Sequence, residues 1–280
     1  MTPIGERRAF LREVRLLFPG KWTGSTQPQK RTRGDKMKSI KIYGLQKLTL
    51  LDYPGRIACT VFLGGCNFRC PYCHNGSLVL TGGTPHMMGA DELLEFLKSR
   101  VGRLQGVCIS GGEPTLYTRL PELVAEIRSL GFEVKLDTNG TNPEMLRRLI
   151  DGGLVDYVAM DIKNSPEKYP LTAGLTPCGE GSTGEIGNSQ AMIQRVKESA
   201  VILMEGRVDF EFRTTLMREH HTAEDIDMIG RWLAGGESYF LQTYRDEGDL
   251  LVGGFTPFTA DETRDLLERL RKYIPNAEIR

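Results

Sequence analysis

The 280-residue sequence predicts an α/β fold, a partial (β/α)6 barrel of the TIM type that stays open on one side, and three observations predict it. Short apolar runs rich in β-branched residues alternate with segments of helical apolar spacing, so strands and helices take turns along the chain. The alternation repeats six times, short of the eight units that close a full barrel. Strands buried on both faces and joined through helices run parallel, and right-handed crossovers wrap them in one direction. A doubly wound open sheet is the alternative packing of the same units.

The first strand is read at 57–63 (IACTVFL) and the second at 106–110 (GVCIS), each bounded by glycine nearby. Between them 91–101 has helical apolar spacing, and 120–131 has it again, ending on Gly131. The third strand is read at 132–137, followed by a helix at 143–150. Asn142 is placed to cap that helix, with Pro143 at its first position, where a missing N–H costs nothing. Strands at 155–162, 208–215 and 238–244 complete the set, with helices at 189–204, 223–234 and 261–273.

Composition removes several function classes. Apolar residues make up 40% and charged residues 26%, enough for a core under a soluble surface. No apolar run approaches a membrane span, and no cleavable leader is legible. Thirty-six basic residues balance thirty-six acidic ones, which removes the electrostatic argument for nucleic acid as a partner. Six cysteines are too sparse for a disulfide scaffold; thiols that must stay reduced point to the cytoplasm. The charge is unevenly spread: residues 1–36 carry nine Lys/Arg against three acids. That basic, Gly/Ser/Thr/Gln/Pro-rich leader is expected to be disordered, and residues 37–280 form the folded domain.

Folds of this kind place chemistry in the loops at the carboxyl ends of the strands. After the first strand comes Gly64-Gly65-Cys66-Asn67-Phe68-Arg69-Cys70-Pro71-Tyr72-Cys73-His74-Asn75. Three thiols spaced C-x3-C-x2-C in one tight loop are suited to metal ligation by soft sulfur. A closed zinc site needs a fourth ligand, for which His74 is the nominal candidate, although it is the sequence neighbour of Cys73. Three thiolates without a fourth fit a [4Fe–4S] cluster with one iron left open. Cys59 and Cys108 lie inside strands and read as small core hydrophobes. After the second strand stands Ser110-Gly111-Gly112-Glu113-Pro114, after the third Asp137-Thr138-Asn139-Gly140, and after the fourth Asp161-Ile162-Lys163.

C-x3-C-x2-C after the first strand of a six-unit β/α chain resembles the radical S-adenosylmethionine (SAM) superfamily. The resemblance runs over about residues 39–245 and extends to the glycyl-radical-enzyme activating enzymes. Asp52-Tyr53-Pro54-Gly55 resembles their D-x-P-G element, and Tyr72-Cys73-His74-Asn75 their C-x-x-C-H-N ending. Asp161-Ile162-Lys163 with the following Ser165-Pro166-Glu167-Lys168-Tyr169 is similar to the long-form activating protein of anaerobic ribonucleoside-triphosphate reductase. The resemblance implies that Cys66, Cys70 and Cys73 hold one [4Fe–4S] cluster. It also implies that Tyr72 and His74, Gly111, Gly112 and Glu113, Asp137 and Asn139, and Asp161 and Lys163 line the SAM site. In that family a one-electron donor such as flavodoxin or ferredoxin reduces the cluster, SAM is cleaved to a 5′-deoxyadenosyl radical, and the radical takes a Cα hydrogen from a glycine of the partner enzyme. No general acid or base is implied.

Alternatives remain within this reading: activation of another glycyl-radical enzyme such as pyruvate formate-lyase, a small-molecule- or peptide-modifying radical enzyme, or a zinc-stabilised binding module. Gln242 and Arg245 are expected at the site's mouth, and His220 and His221 are expected to be solvated. The Gly/Thr-rich loop between Tyr169 and Asn188, with Cys178, departs from the family pattern.

Overall fold

A computed structural model describes residues 40–81, 85–175 and 186–280. The basic segment 1–36 and most of the Gly/Thr-rich loop, Cys178 included, lie outside the described residues.

Among the described residues nine strands form one sheet: β1 (Lys41–Thr49), β2 (Ala58–Leu63), β3 (Met88–Gly89), β4 (Gly106–Gly111), β5 (Glu133–Thr138), β6 (Tyr157–Asp161), β7 (Asp209–Leu216), β8 (Tyr239–Thr243) and β9 (Ala277–Ile279). Their spatial order is β3-β1-β2-β4-β5-β6-β7-β8-β9. The helices are α1 (Gly76–Val79), α2 (Ala90–Lys98), α3 (Leu120–Ser129), α4 (Pro143–Asp151), α5 (Tyr169–Thr172), α6 (Ile186–Met204), α7 (Ala223–Trp232) and α8 (Ala260–Arg271). From β2 through β9 every adjacent pair is parallel. The six expected strands stand side by side in chain order, and the sheet is not closed. This is the partial, open-sided barrel.

Three additions were not legible, one of them the two-residue β3, which pairs antiparallel with β1. Residues 41–49 form β1, which pairs antiparallel with β2 through irregular register. At the other end, residues 277–279 add β9 in parallel to β8. The expected Asn142 cap is present: its side chain accepts from the Met145 amide at 3.2 Å.

Each barrel strand divides its side chains by its two-residue period. Val134 and Leu136 of β5, Val158 and Met160 of β6, and Phe210 and Phe212 of β7 are buried in the apolar core. They share it with Leu123, Val124 and Ile127 of α3, Leu146 and Leu149 of α4, and Val196 and Leu203 of α6. The alternate residues meet one another on the inside of the barrel, where Lys135 reaches Asp137 and Arg213 reaches Asp161 and Glu211. Cys59 joins the core as expected, whereas Cys108, equally buried, lies on the inner face 3.9 Å from the Lys135 ammonium.

The inner face is floored by the turn after β1. Tyr53 is buried and its ring lies 6.1 Å from that of Tyr157. A Cβ on Gly106 would come within 2.8 Å of the Tyr53 ring, so the glycine makes room for this plug. Tyr157 donates to Glu211 at 2.9 Å, and Arg280, from the end of the chain, grips the same carboxylate at 2.9 and 3.1 Å. The floor is thereby fixed, and the opposite end holds the loops.

Candidate functional site

A cavity of about 430 Å³ opens at the carboxyl ends of the strands, lined by residues from the loops after β2, β4, β5 and β6. Cys66, Cys70, Tyr72, Cys73 and His74 reach it from the loop after β2, and Gly111 and Gly112 from the end of β4. Asp137 and Asn139 come from β5 and its turn, Asp161 and Lys163 from β6. Segments far apart in sequence thus converge on one volume.

Glu113 is the exception. Its side chain is fully buried and absent from the cavity wall. It accepts from the Thr115 amide at 3.0 Å, the Thr138 hydroxyl at 2.7 Å and the Asn139 amide at 2.6 Å. Burial raises its pKa above the ordinary carboxylate value, because these hydrogen bonds only partly offset desolvation. The structure gives Glu113 the position of a brace between the loop after β4 and the turn after β5.

The two glycines beside it are required by packing. Gly111 has φ +116°, and a Cβ there would meet the Leu63 carbonyl oxygen at 2.1 Å. A Cβ on Gly112 would meet the Gly65 carbonyl oxygen at 2.0 Å. Only glycine lets this loop lie against the cysteine loop. The Gly111 carbonyl already accepts from the Asn75 side-chain amide at 3.1 Å.

All three thiols of the cysteine loop are free. Cys70 is buried and Cys66 and Cys73 are half-buried. Two donors sit close to the Cys66 sulfur, the Phe68 amide at 3.4 Å and the Asn139 side-chain amide at 3.8 Å. Burial pushes the Cys66 thiol up to about 11 and the Cys70 thiol up to about 12. A coordinating iron inverts that preference, since its charge deprotonates a ligating thiol outright. Among the described residues, no three His, Cys, Asp or Glu side chains are arranged to hold one metal ion. A [4Fe–4S] cluster asks for something else, one thiolate on each of three irons, and three soft donors opening on one cavity fit that group.

A strap after β8 grips this loop from outside. Gly76 donates to the Asp249 carbonyl at 2.7 Å and Ser77 to the Asp249 carboxylate at 2.6 Å. Leu251 donates to the Cys73 carbonyl at 3.3 Å and Val252 to the Pro71 carbonyl at 2.7 Å. His74 is exposed and donates from Nε2 to the Arg245 carbonyl at 2.8 Å. Gln242 lines the cavity as expected, while Arg245 lines a neighbouring one with His74, Thr215 and Glu247. Nothing in the sequence around 244–254 announced the strap, because its partners are main-chain groups.

The charged side chains form a ladder. Lys163 lies 3.0 Å from Asp161 and 5.9 Å from the centre of the buried Tyr72 ring. Arg213 places both Nε and Nη2 at 2.9 Å from Asp161 Oδ1, and Nη1 3.6 Å from Asp137. Burial alone would raise both carboxylates, yet Arg213 and Lys163 outweigh it at Asp161, bringing that group down to about 2. Lys135 and Arg213 do the same for Asp137, which ends below its ordinary value. Arg213 and Lys135 were missed in the sequence. The signal that finds them is a charged residue at every second position over 133–137 and 209–213.

His221 corrects another expectation. It is 2% exposed rather than solvated, donating from Nε2 to the Lys163 carbonyl at 2.9 Å while Nδ1 faces the Met217 amide at 3.4 Å. Burial lowers its pKa to about 4, against the raising effect of these backbone contacts. His220 is half-buried, 6.2 Å ring to ring from Tyr72.

The radical SAM superfamily profile matches residues 60–232, more than half of the chain and all of the strands that build this cavity except β8. The chain belongs to the radical SAM superfamily. It is therefore an enzyme of a family that works with a [4Fe–4S] cluster and SAM. A Methanocaldococcus jannaschii protein named a glycyl-radical enzyme activating enzyme is 33% identical over 252 residues, which are 87% of this chain and 97% of that one. A 7-carboxy-7-deazaguanine synthase of Hyperthermus butylicus is 39% identical, but over only 34% of this chain and 40% of its own. Among solved structures, Streptococcus suis SuiB bound to S-adenosylmethionine superposes with TM-score 0.56 at 14% identity. That match covers 77% of this radical SAM chain and 48% of SuiB, so the chain spans about half the length of that neighbour. TYW1 with a lysine-pyruvate adduct bound superposes with TM-score 0.52 at 16% identity, over 78% of this chain and 73% of that one. At these identities the two structures establish the fold alone. No helix among the described residues is long and apolar enough to cross a membrane.

Proposed function

We propose that this radical SAM enzyme activates a glycyl-radical enzyme by abstracting a Cα hydrogen from one of its glycines. The observation that carries the reading is the convergence of the cysteine loop, the Gly111-Gly112 turn, Asp137, Asn139, Asp161 and Lys163 on one cavity. The relation to the Methanocaldococcus jannaschii activating enzyme over nearly its whole length supports it. Anaerobic ribonucleoside-triphosphate reductase is the proposed partner, on the similarity around Asp161–Tyr169, with flavodoxin or ferredoxin as electron donor.

In this reading Cys66, Cys70 and Cys73 hold the cluster, one thiolate to an iron, and the rest of the cavity takes SAM. The cluster, when bound and reduced, supplies the electron that splits the sulfur–C5′ bond of SAM and so makes the hydrogen-abstracting radical. The chain's own residues bind, orient and exclude. Lys163, held by Asp161 and by the His221 contact to its carbonyl, offers a fixed cation for the carboxylate of SAM. Buried Tyr72, Asn139 and Phe68 keep water from the sulfurs; radical chemistry needs that exclusion. The open side of the barrel, where the sheet does not close, leaves room for a protein loop to enter.

The test mixes anaerobic, reduced enzyme, SAM and purified anaerobic ribonucleotide reductase, and follows electron paramagnetic resonance. A glycyl-radical doublet on the partner is expected. SAM cleavage that proceeds without radical transfer to this or to a pyruvate formate-lyase-type partner would move the enzyme to small-molecule or peptide modification.

A further inference from the structure

Lys135 has no part in the function argued so far, although its position is unusual. Its side chain is 1% exposed, and lysine is almost never buried to that degree unless paired. It stands two residues before Asp137 on β5, hence on the same inner face. Its ammonium bonds to Asp137 Oδ1 and lies 3.9 Å from the Cys108 sulfur.

The two cavity carboxylates differ in what remains free. Asp161 has both oxygens engaged, Oδ1 with Arg213 and Oδ2 with Lys163. At Asp137 the two cations, Lys135 and the more distant Arg213, both lie against Oδ1. Among the described residues no donor reaches its Oδ2, yet the side chain is 17% exposed and lines the cavity. A carboxylate oxygen keeps its acceptor capacity until donors use it. Asp137 is therefore the acid with an oxygen to offer a ligand, and Asp161 the acid that anchors Lys163. Arg213 cannot replace Lys135 in holding Asp137, because its Nη1 stands off at 3.6 Å while its Nε and Nη2 are committed to Asp161.

We infer that Lys135 is a positioning residue for the ligand: its ammonium pins one oxygen of Asp137 from the barrel wall and so aims the other at an ammonium or hydroxyl donor of SAM. This rests on the reading of the cavity as a SAM site. It adds the division of labour between the two acids and the lysine that enforces it. In a purely structural ion pair, replacing both members by neutral groups of similar size would restore stability and SAM affinity together.

The test measures SAM affinity by equilibrium dialysis on the anaerobically purified, cluster-loaded full chain, with thermal midpoints alongside. Lys135→Met and Asp137→Asn are each expected to weaken SAM binding by about tenfold or more, the loss of a charge-assisted hydrogen bond. The double variant is expected to bind SAM no more weakly than Asp137→Asn alone, because the two residues act as one unit. It should regain the thermal stability lost in Lys135→Met without regaining SAM affinity, whereas for a structural pair the two would return together. Lys135→Met binding SAM within about twofold of the parent overturns the inference, as does a double variant whose loss is the product of the single losses. If Lys135→Met fails to fold, comparing the double variant with Asp137→Asn decides alone. Equal affinities support the inference, and a further loss of about tenfold overturns it. A parent chain that does not bind SAM refutes the proposed function instead.

Discussion

Along β7, Phe210 and Phe212 belong to the apolar core under the helices, while Glu211 and Arg213 face a charged interior shared with Asp137 and Asp161. The outer face of the barrel wall is held by area removed from water, which is insensitive to small shifts in direction. The inner face is held by charges taken out of water, whose attraction balances the desolvation cost only in good geometry. A fold that needed stability alone has little reason to build the second kind of face. The charged face marks where ligand chemistry is done, and its residues are fixed by one another rather than by packing.

The largest effects should fall on the cysteine loop. Alanine at Cys66, Cys70 or Cys73 is expected to abolish iron–sulfur content and SAM cleavage, whereas Cys59→Ala, on the outer face, should keep both and lose only packing stability. Iron and sulfide analysis with a 5′-deoxyadenosine assay separates the two faces.

Next come Arg213→Met and Leu136→Ala. Removing Arg213 leaves Asp161 and Asp137 short of a counter-charge in a buried site and should cost about 3–5 kcal/mol. Leu136, fully buried on the outer face, should cost about 2–5 kcal/mol as alanine. Similar magnitudes hide different causes. In an Asp161→Asn background the Arg213→Met cost should shrink and the Leu136→Ala cost should not, a coupling that denaturant titration of the parent, the single and the double variants measures.

A smaller effect concerns His221. Its folded-state pKa of about 4 lies below the ordinary histidine value, so the neutral ring is favoured by folding. The stability it contributes is complete above about pH 6.5 and falls as pH drops towards 4, where the folded ring also takes a proton. His220 and Asp225 are the nearby titratable groups acting on it, and a difference measurement between parent and variant cancels most of their own titration. His221→Asn is expected to flatten the pH dependence of unfolding free energy in that window; an unchanged slope would contradict the buried, neutral assignment.

The smallest effects should come from the outside of the molecule. Lys98→Ala removes an exposed pair with Glu95 at 2.6 Å, and Leu51→Ser alters a side chain that is 86% exposed. Both should change stability by less than about 0.5 kcal/mol.

What the sequence disclosed follows from how local each signal is. The cysteine loop, the Gly111-Gly112 turn and the Asp161–Lys163 segment are legible because each carries its residues within a few positions at one strand end. The barrel was legible from the beat of strands and helices. The motif around Glu113 points to the ligand, but its partners Thr138 and Asn139 arrive from another strand end and turn it into a brace. The burial of His221 is not legible because Lys163, whose carbonyl it meets, is 58 residues away. Strand β1 is hidden in the sequence because glycine and lysines interrupt its apolar alternation at Gly44, Lys41 and Lys47. Lys135 and Arg213 are legible in principle, because a strand with a charge at every second position has a polar inside.

Purifying the chain without oxygen and assaying iron, sulfide and SAM cleavage together is the most direct trial of the assigned ligands. About four irons and four sulfides per chain, with methionine and 5′-deoxyadenosine released in equal amounts on reduction, is the expected result. A colourless protein carrying a single zinc and leaving SAM intact would contradict it.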